Sequence, residues 1–576
     1  MDHRLQWRTV DVNEGEAQWL AEKLGIPRPL AMVLQGRGFS EPGTVEDFLL
    51  PRLSKLSDPF LLPGMADAVT RIHDALHAGE KVAVFGDYDA DGVTSTALLV
   101  SVLRRLGGNV GAFLPQRSRD GYGLTPGALG HCVEDHGPSL IISVDCGTTS
   151  VEAIEAASKL GVDVVVTDHH KISHDVAPAV AVVNPKLGES GELALLAGVG
   201  VTFKLCHALI KRDLEEGSAE KPRVDLREYL GLVAIGTVCD IVPLSGENRI
   251  LVHHGMKQLS MGHSSVGIEA LRKVAGSKGK IHSYHLGFLL GPRLNAAGRL
   301  GSAMPALELL TTTDSGRAGE LARELDAANT DRKSIENSIL EEAIADLGQE
   351  FDESSSYGLC VGREGWDIGV VGIVASRLCR RYNRPSVVIA FDEKGDGRGS
   401  CRSIQDVDLV EVLKGCSDVL ETYGGHSMAA GLALTKDSLG EFKAVFNRLC
   451  AERLQGTDLR PVQNVDAWLK NLGEADSNLY SSLEKMRPFG CGNPSPVWGV
   501  RHVTCVGQPR RVGADGDHLK LTLASGGTQM DAIGFRMGDM QVPEGAMDVL
   551  FELDENSFRG SVSLQMKLKD FRASAS

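Results

Sequence analysis

A chain of 576 residues, 42% hydrophobic and 24% charged, is too long for one core and too apolar to be disordered, so two to four folded domains are expected. A net charge of -16 excludes binding of polyanions through the overall field and leaves only a local basic groove or bound metal for that purpose. Eleven cysteines without a Cys-x-x-Cys pair exclude zinc-ribbon chemistry and point to reduced thiols. No apolar run reaches the ~18 residues of a membrane span, and residues 1–16 lack a signal-type apolar stretch. A cytoplasmic protein with no membrane association is expected.

Residues 1–75 read as helices with polar breaks. From 80 to about 185, apolar strand-like runs at 81–85, 109–114, 140–144, 162–166 and 179–183 alternate with helical patterns such as 94–106 and 149–160. This βαβα rhythm predicts a doubly wound parallel sheet, whose ligands bind beyond the carboxyl ends of the strands. Asp87, Asp89 and Asp91 follow the first run at i, i+2 and i+4. On an extended backbone these positions share one side. Like charges so close require something positive, and a divalent cation is the simplest choice. Asp145 ends the run at 140–144, Asp168-His169-His170 follow 162–166, and Asp240 stands in the apolar stretch 236–243.

Carboxylates and imidazoles without thiolates suit Mn²⁺ or Mg²⁺. Two such ions ~3.5–4 Å apart stabilise an in-line displacement at phosphorus. A metal-dependent phosphoesterase is therefore expected. Residues 191–310 read as mostly helical around the loop GPRLNAAGRLG at 291–301, and 315–347 as a charged connector helix. A second α/β unit follows at 350–455, with a Gly-Gly-His turn at 424–426. From 456 onward, short strands with glycine turns read as a small β-barrel.

The ordered set DYDAD, Asp145, DHH at 168–170 and Asp240 resembles the DHH phosphoesterase superfamily. The forms GDYDADGVTS, GYG at 121–123, GTVCDIVPL, GPRLNAAGR and PFGCGNPSP at 488–496 resemble its RecJ family of single-strand-specific 5′→3′ exonucleases, over nearly the whole chain. The resemblance implies an α/β fold: a doubly wound parallel-sheet DHH domain (76–312), a connector helix (313–347), a second α/β DHHA1 domain (348–455) and a C-terminal OB-type β-barrel (456–576), behind an N-terminal helical extension (1–75). It implies two Mn²⁺ or Mg²⁺ ions per site, held by Asp89, Asp91, Asp145, His169 and Asp240 with Asp145 as bridge. Asp87 and Asp168 are expected close by, Asp87 with a catalytic role, and His170 on the scissile phosphate.

Arg117, Ser400 and Arg402 are expected to hold the 5′ phosphate, with Arg293, Asn295 and His426 as further substrate contacts. Asp367 stands where similar proteins carry a histidine after Trp366, which removes an imidazole from that position. On the barrel, Arg510, Arg511, His518, Lys520 and Phe535 are candidates for gripping single-stranded DNA. Cys146, Cys239 and Cys401 neighbour expected site residues, as packing thiols or as an oxidation-sensitive set. The implied partners are single-stranded DNA, a single-strand-binding protein and a RecQ-type helicase, for a monomeric enzyme of repair and recombination. Two other readings stay open on the sequence. One is a short-oligonucleotide or cyclic-dinucleotide phosphodiesterase, which needs no barrel. The other is an inactive single-strand-binding scaffold, which need not keep every ligand.

Overall fold

The computed structural model describes residues 5–121, 123–172, 175–217, 224–558 and 561–574. The chain folds into two compact units: residues 57–242 with 254–459, and residues 1–56 with 243–253 and 460–576.

The larger unit is built on a five-stranded parallel sheet of β1 (Lys81–Gly86), β2 (Asn109–Phe113), β3 (Leu140–Val144), β4 (Asp163–Thr167) and β5 (Ala181–Val183), in the order β2-β1-β3-β4-β5. Helices cover the sheet, so its inner strands are apolar on both sides; every residue of β3 is buried. The order reverses between β1 and β3, and the aspartates leave the sheet at that switch point. Helix α1 (Ala90–Arg105) follows β1 directly. Two further helices pack on it: α2 (Gly198–Glu215) and the almost wholly buried α3 (Leu230–Cys239).

After a π-helical turn at His285–Leu290 come α4 (Gly291–Leu300) and the long α5 (Ser315–Glu350). A second sheet completes the unit, with β6 (Leu359–Glu364), β7 (Ser386–Phe391), β8 (Asp396–Arg402), β9 (Thr422–His426) and β10 (Ala429–Thr435) in the order β9-β10-β8-β7-β6. Only β6 and β7 run parallel. Helix α6 (Val371–Tyr382) joins those two strands.

In the smaller unit, five strands close into a barrel. Trp498–Cys505 pairs with Ala546–Phe558, which pairs with Ser561–Ala573; the ring continues through Thr528–Gly534 and His518–Ser525 back to Trp498–Cys505. Closure removes the exposed sheet edges. Residues 1–56, expected as part of a separate extension reaching 75, pack with this barrel instead. Strand Gln6–Thr9 pairs with Val462–Val465 in parallel register, and Leu20, Leu30 and Leu34 share one core with Trp498 and Phe551. Helix Met65–Ala78 belongs to the other unit.

Candidate metal centre and phosphate cavity

β1 ends at Gly86 because the chain turns at once into α1. Asp89 is its N-cap, accepting from the N–H groups of Asp91 and Gly92 at 2.9 and 3.0 Å. Only glycine fits at 92, since a Cβ there would lie 2.4 Å from the Asp87 carbonyl oxygen. The three aspartates therefore do not alternate along an extended strand, as the spacing alone suggested. Asp91 sits in the first turn of α1 and reaches across to α2. Its carboxylate accepts from the N–H groups of Gly198 and Val199 at 2.7 and 2.9 Å, at the positive end of that helix.

Three overlapping groups of ligating atoms result: Asp145, His169 and His170 form one, and two others flank it. Asp87, Asp89 and Asp145 form the second, and Asp91, His169 and Asp240 the third; within each, the atoms lie within 4.8 Å of one another. Asp145 joins them: its Oδ1 is 3.2 Å from His169 Nε2, and Asp240 Oδ2 is 3.5 Å from the same nitrogen. These three atoms are buried and none has a hydrogen-bond partner. Asp168 belongs to none of the three groups. It accepts from the N–H groups of Thr148, His169 and His170, and its Oδ1 is 2.8 Å from His170 Nδ1.

Burial, reinforced by Asp89, pushes the carboxyls of Asp87 and Asp240 up to about 7. Burial and the surrounding aspartates raise Asp91 and Asp145 well above the usual carboxylate range. Burial, then the charge of His170, pulls His169 down to about 3, which keeps the imidazole neutral. For His170, burial opposes the charged form, but the hydrogen bond to Asp168 and its charge outweigh it and raise the imidazole to about 9. That ion pair holds Asp168 below its usual range in spite of burial. Buried, mutually facing oxygen and nitrogen atoms without hydrogen-bond partners, on carboxylates that a cation would keep deprotonated, fit divalent ions of the Mn²⁺ or Mg²⁺ kind.

A cavity of about 380 Å³ opens beside the aspartates. Asp87, Tyr88, Asp89, Asn295 and Arg299 line one part, and Gly369, Gly399, Ser400, Arg402 and Gly431 another. Asn295 Oδ1 accepts from the Ala90 N–H at 2.7 Å and so ties α4 to the aspartate turn. Arg402 donates to Ser400 Oγ at 2.9 Å. Among the described residues no carboxylate pairs with it, and burial, the largest influence on it, lowers its pKa. Such a cation calls for an anion.

Other expected contacts fall elsewhere. Arg293 is buried and spent on Asp326 at 2.8 Å and the Leu289 carbonyl at 2.6 Å, so it braces α4 against α5 and does not line the cavity. His426 is exposed on β9 and is also absent from the cavity wall. Arg117 opens a short helical turn, Arg117–Asp120, but its side chain and Tyr122 lie outside the described residues. Asp367 Oδ1 accepts from the Gly369 N–H at 2.6 Å and shapes its own loop. Tyr88, Arg299 and Gly369 were not singled out from the sequence; the GPRLNAAGR motif was the one signal that contained Arg299. Burial, foremost, raises the thiols of Cys146, Cys239 and Cys401, which makes them packing groups and poor nucleophiles. On the barrel, Phe535 is 51% exposed, outside the core, with the His518 ring edge-on at 5.1 Å. Arg511 and Lys520 pair with Asp539 and Asp531 at 3.2 and 3.3 Å.

Comparison with known proteins agrees with this geometry in order and extent. The model of the DHH family N-terminal domain matches residues 81–237, the DHHA1 domain 356–452 and the RecJ OB domain 465–570. The chain is 35% identical over 573 residues to the single-stranded-DNA-specific exonuclease RecJ of Bacillus subtilis, covering 98% of this chain and 71% of that one. To the Escherichia coli protein of the same name it is 38% identical over 525 residues, covering 88% and 89%. The crystal structure of RecJ from Thermus thermophilus in complex with Mn²⁺ superposes with a TM-score of 0.84 at 30% identity, covering 100% of this chain and 80% of that one. All three blocks thus recur together in their order, and this chain belongs to the RecJ family of single-stranded-DNA-specific exonucleases.

Proposed function

We propose that this chain is a metal-dependent, single-strand-specific 5′→3′ DNA exonuclease that releases 5′ mononucleotides in repair and recombination. One observation carries the reading: the cavity joins Asp87 and Asp89, at the edge of the aspartate centre, to Ser400 and Arg402, an arginine without a carboxylate partner among the described residues. A terminal nucleotide enters with its 5′ phosphate on Ser400 and Arg402 and its next phosphodiester at the aspartates. Asp89, Asp91, Asp145, His169 and Asp240 would hold two Mn²⁺ or Mg²⁺ ions, which would supply Lewis acidity for phosphodiester hydrolysis.

Asp87, on the cavity wall beside Asp89 and Asp145, accepts a hydrogen bond from the attacking water. His170 is held as a cation by Asp168 through Nδ1, and its free Nε2 donates to the scissile phosphate. Asn295 and Arg299 keep the aspartate turn and the Gly369 loop in place. The barrel grips the strand through Arg510, Arg511, Lys520 and the exposed Phe535 with the half-buried His518 beside it. The reading extends, on family resemblance, to a single-strand-binding protein and a RecQ-type helicase as partners of a monomeric, cytoplasmic enzyme.

The test uses 3′-labelled single strands carrying either a 5′ phosphate or a 5′ hydroxyl, with a blunt duplex control, in Mn²⁺, Mg²⁺ and EDTA. Stepwise shortening from the 5′ end is expected, with no reaction on duplex or in EDTA. Arg402→Ala should raise KM for the 5′-phosphorylated strand about 10–100-fold, the loss of one charge-assisted hydrogen bond of about 1.5–3 kcal/mol. The 5′-hydroxyl strand should be little affected. Immediate release of the 3′ label, or cleavage that persists in EDTA, would overturn the reading.

A further inference from the structure

A second cluster of ligating side chains stands at the opposite end of α2 from the aspartates. Helix Met65–Ala78 carries His73 and His77 at i and i+4, so both imidazoles share one face. Their rings lie 4.0 Å apart. Glu216, the C-cap of α2, brings Oε2 to 2.8 Å from His73 Nε2. One ligand atom from each of the three lies within 4.8 Å of the others. At 1.5 Å per residue, the 18 residues of α2 separate this cluster from Gly198 by about 27 Å.

Several features fit a cation. His77 Nδ1 sits 2.9 Å from the His73 carbonyl oxygen, so it carries the proton and leaves Nε2 as a bare donor atom. His73 Nε2 is buried with no hydrogen-bond partner although a carboxylate stands beside it. Glu216 Oε1 is occupied by Arg212 at 2.7 Å, which turns Oε2 toward the imidazoles. Both helices meet here by their C-terminal ends, whose dipoles favour positive charge. Two imidazoles and one carboxylate are a recurrent donor set for Zn²⁺, and side-chain rotations bring them to the ~2.0–2.1 Å it requires.

We propose that His73, His77 and Glu216 form a second metal site, for a transition ion of the Zn²⁺ class, separate from the aspartate centre. An ion here clips helix Met65–Ala78 to the end of α2. The first N–H groups of α2 hold Asp91, so the clip braces a helix on which the aspartate centre depends.

The test compares wild type, His77→Ala and Glu216→Gln. Both altered residues are exposed, so the variants should fold. Each protein is dialysed against Zn²⁺ with Mg²⁺ present, and bound zinc and Tm are measured. The aspartate ligands are unaltered in all three proteins, so a loss of one equivalent in the variants is read against an intact aspartate ligand set. Wild type should retain about one more equivalent of zinc than either variant and gain a larger Tm increase from Zn²⁺. Co²⁺ in place of Zn²⁺ should give wild type an additional visible d–d absorption band, beyond that of the aspartate centre, which both variants lack. Equal zinc content in wild type and His77→Ala, with identical Co²⁺ spectra, would overturn the proposal and leave His73 and Glu216 as a contact between side chains.

Discussion

Asp145 adopts φ +63° where β3 ends, a left-handed backbone that costs a non-glycine residue on the order of 1 kcal/mol. The turn aims its carboxylate between the two flanking ligand groups, and Gly198 leaves it room: a Cβ at 198 would lie 2.4 Å from Asp145 Oδ1. Gly198→Ala should therefore displace the shared carboxylate and lower the cleavage rate about 100-fold, the scale expected of a misplacement near 1 Å. Single-strand affinity, read by fluorescence anisotropy, should stay unchanged; full activity in this variant would show that Asp145 is not the shared ligand. The same residues set a pH response. Asp87 and Asp240 are pushed up to about 7 by burial and then Asp89, against about 3.9 in an unfolded chain. The folded, metal-free chain thus holds protons that the unfolded chain releases. That stabilisation is complete below about pH 4 and is lost as pH rises through about 7. In EDTA, Tm should fall between about pH 5 and 8, whereas with Mn²⁺ the dependence should weaken or reverse, because bound ligands must be deprotonated. A metal-free Tm that climbs across this window would contradict the assignment. The carboxylates were legible in the sequence because Asp87 and Asp145 end apolar runs and Asp240 stands within one. Gly198 was not, since its role is visible only once α2 lies against β3.

At the scale of elements, the five apolar runs read between 80 and 185 correspond to β1–β5, because strands buried on both faces leave an unbroken apolar signature. Side-chain direction beyond a strand end was not legible, and the turn from Gly86 into α1 sent Asp91 away from Asp87. Arg293 illustrates the same limit. Its place in GPRLNAAGR suggested substrate, but α5 carries Asp326 alongside it and takes up its guanidinium. That 36-residue helix, read from the sequence as a connector, also holds a buried ionic cluster. Glu336 accepts from Arg332 at 2.7 Å and from Arg377 of α6 at 2.9 Å, and Arg332 also donates to Asn329 at 3.0 Å. Removing one charge from a buried network leaves its partners uncompensated and costs about 3 kcal/mol or more. Glu336→Gln should lower the free energy of unfolding in urea by about that amount, while the Mn²⁺-induced rise in Tm persists. A neutral effect on unfolding would mean that water already solvates Arg332 and Arg377.

For the molecule as a whole, the pairing of the chain's two ends was the least legible feature. Residues 1–56 carry ordinary amphipathic helices, and nothing in their sequence names the barrel as their partner. The structure supplies it through the parallel pairing of Gln6–Thr9 with Val462–Val465 and through one shared core. Arg249, from the inserted segment 243–253, fastens the unit further. It donates to the carbonyls of Phe48, Lys485 and Met486 at 2.9, 3.0 and 2.8 Å and lies over the Phe48 ring at 3.8 Å. Three distant stretches thus form one folding unit, which has a consequence for truncation. A chain cut to 1–459 loses the barrel but keeps Leu20, Leu30, Val33 and Leu34, whose apolar surface then faces water. It should bind a hydrophobic dye and aggregate. A chain cut to 57–459 loses both halves of that core together and keeps every residue of the aspartate centre and the Arg402 cavity. It should stay soluble and retain a Mn²⁺-dependent rise in Tm, with weaker affinity for long single strands because the barrel's basic residues are gone. Light scattering, dye fluorescence and thermal scans on the two truncations separate the cases. A soluble 1–459 that binds no dye would mean that the N-terminal helices can bury their apolar faces without the barrel.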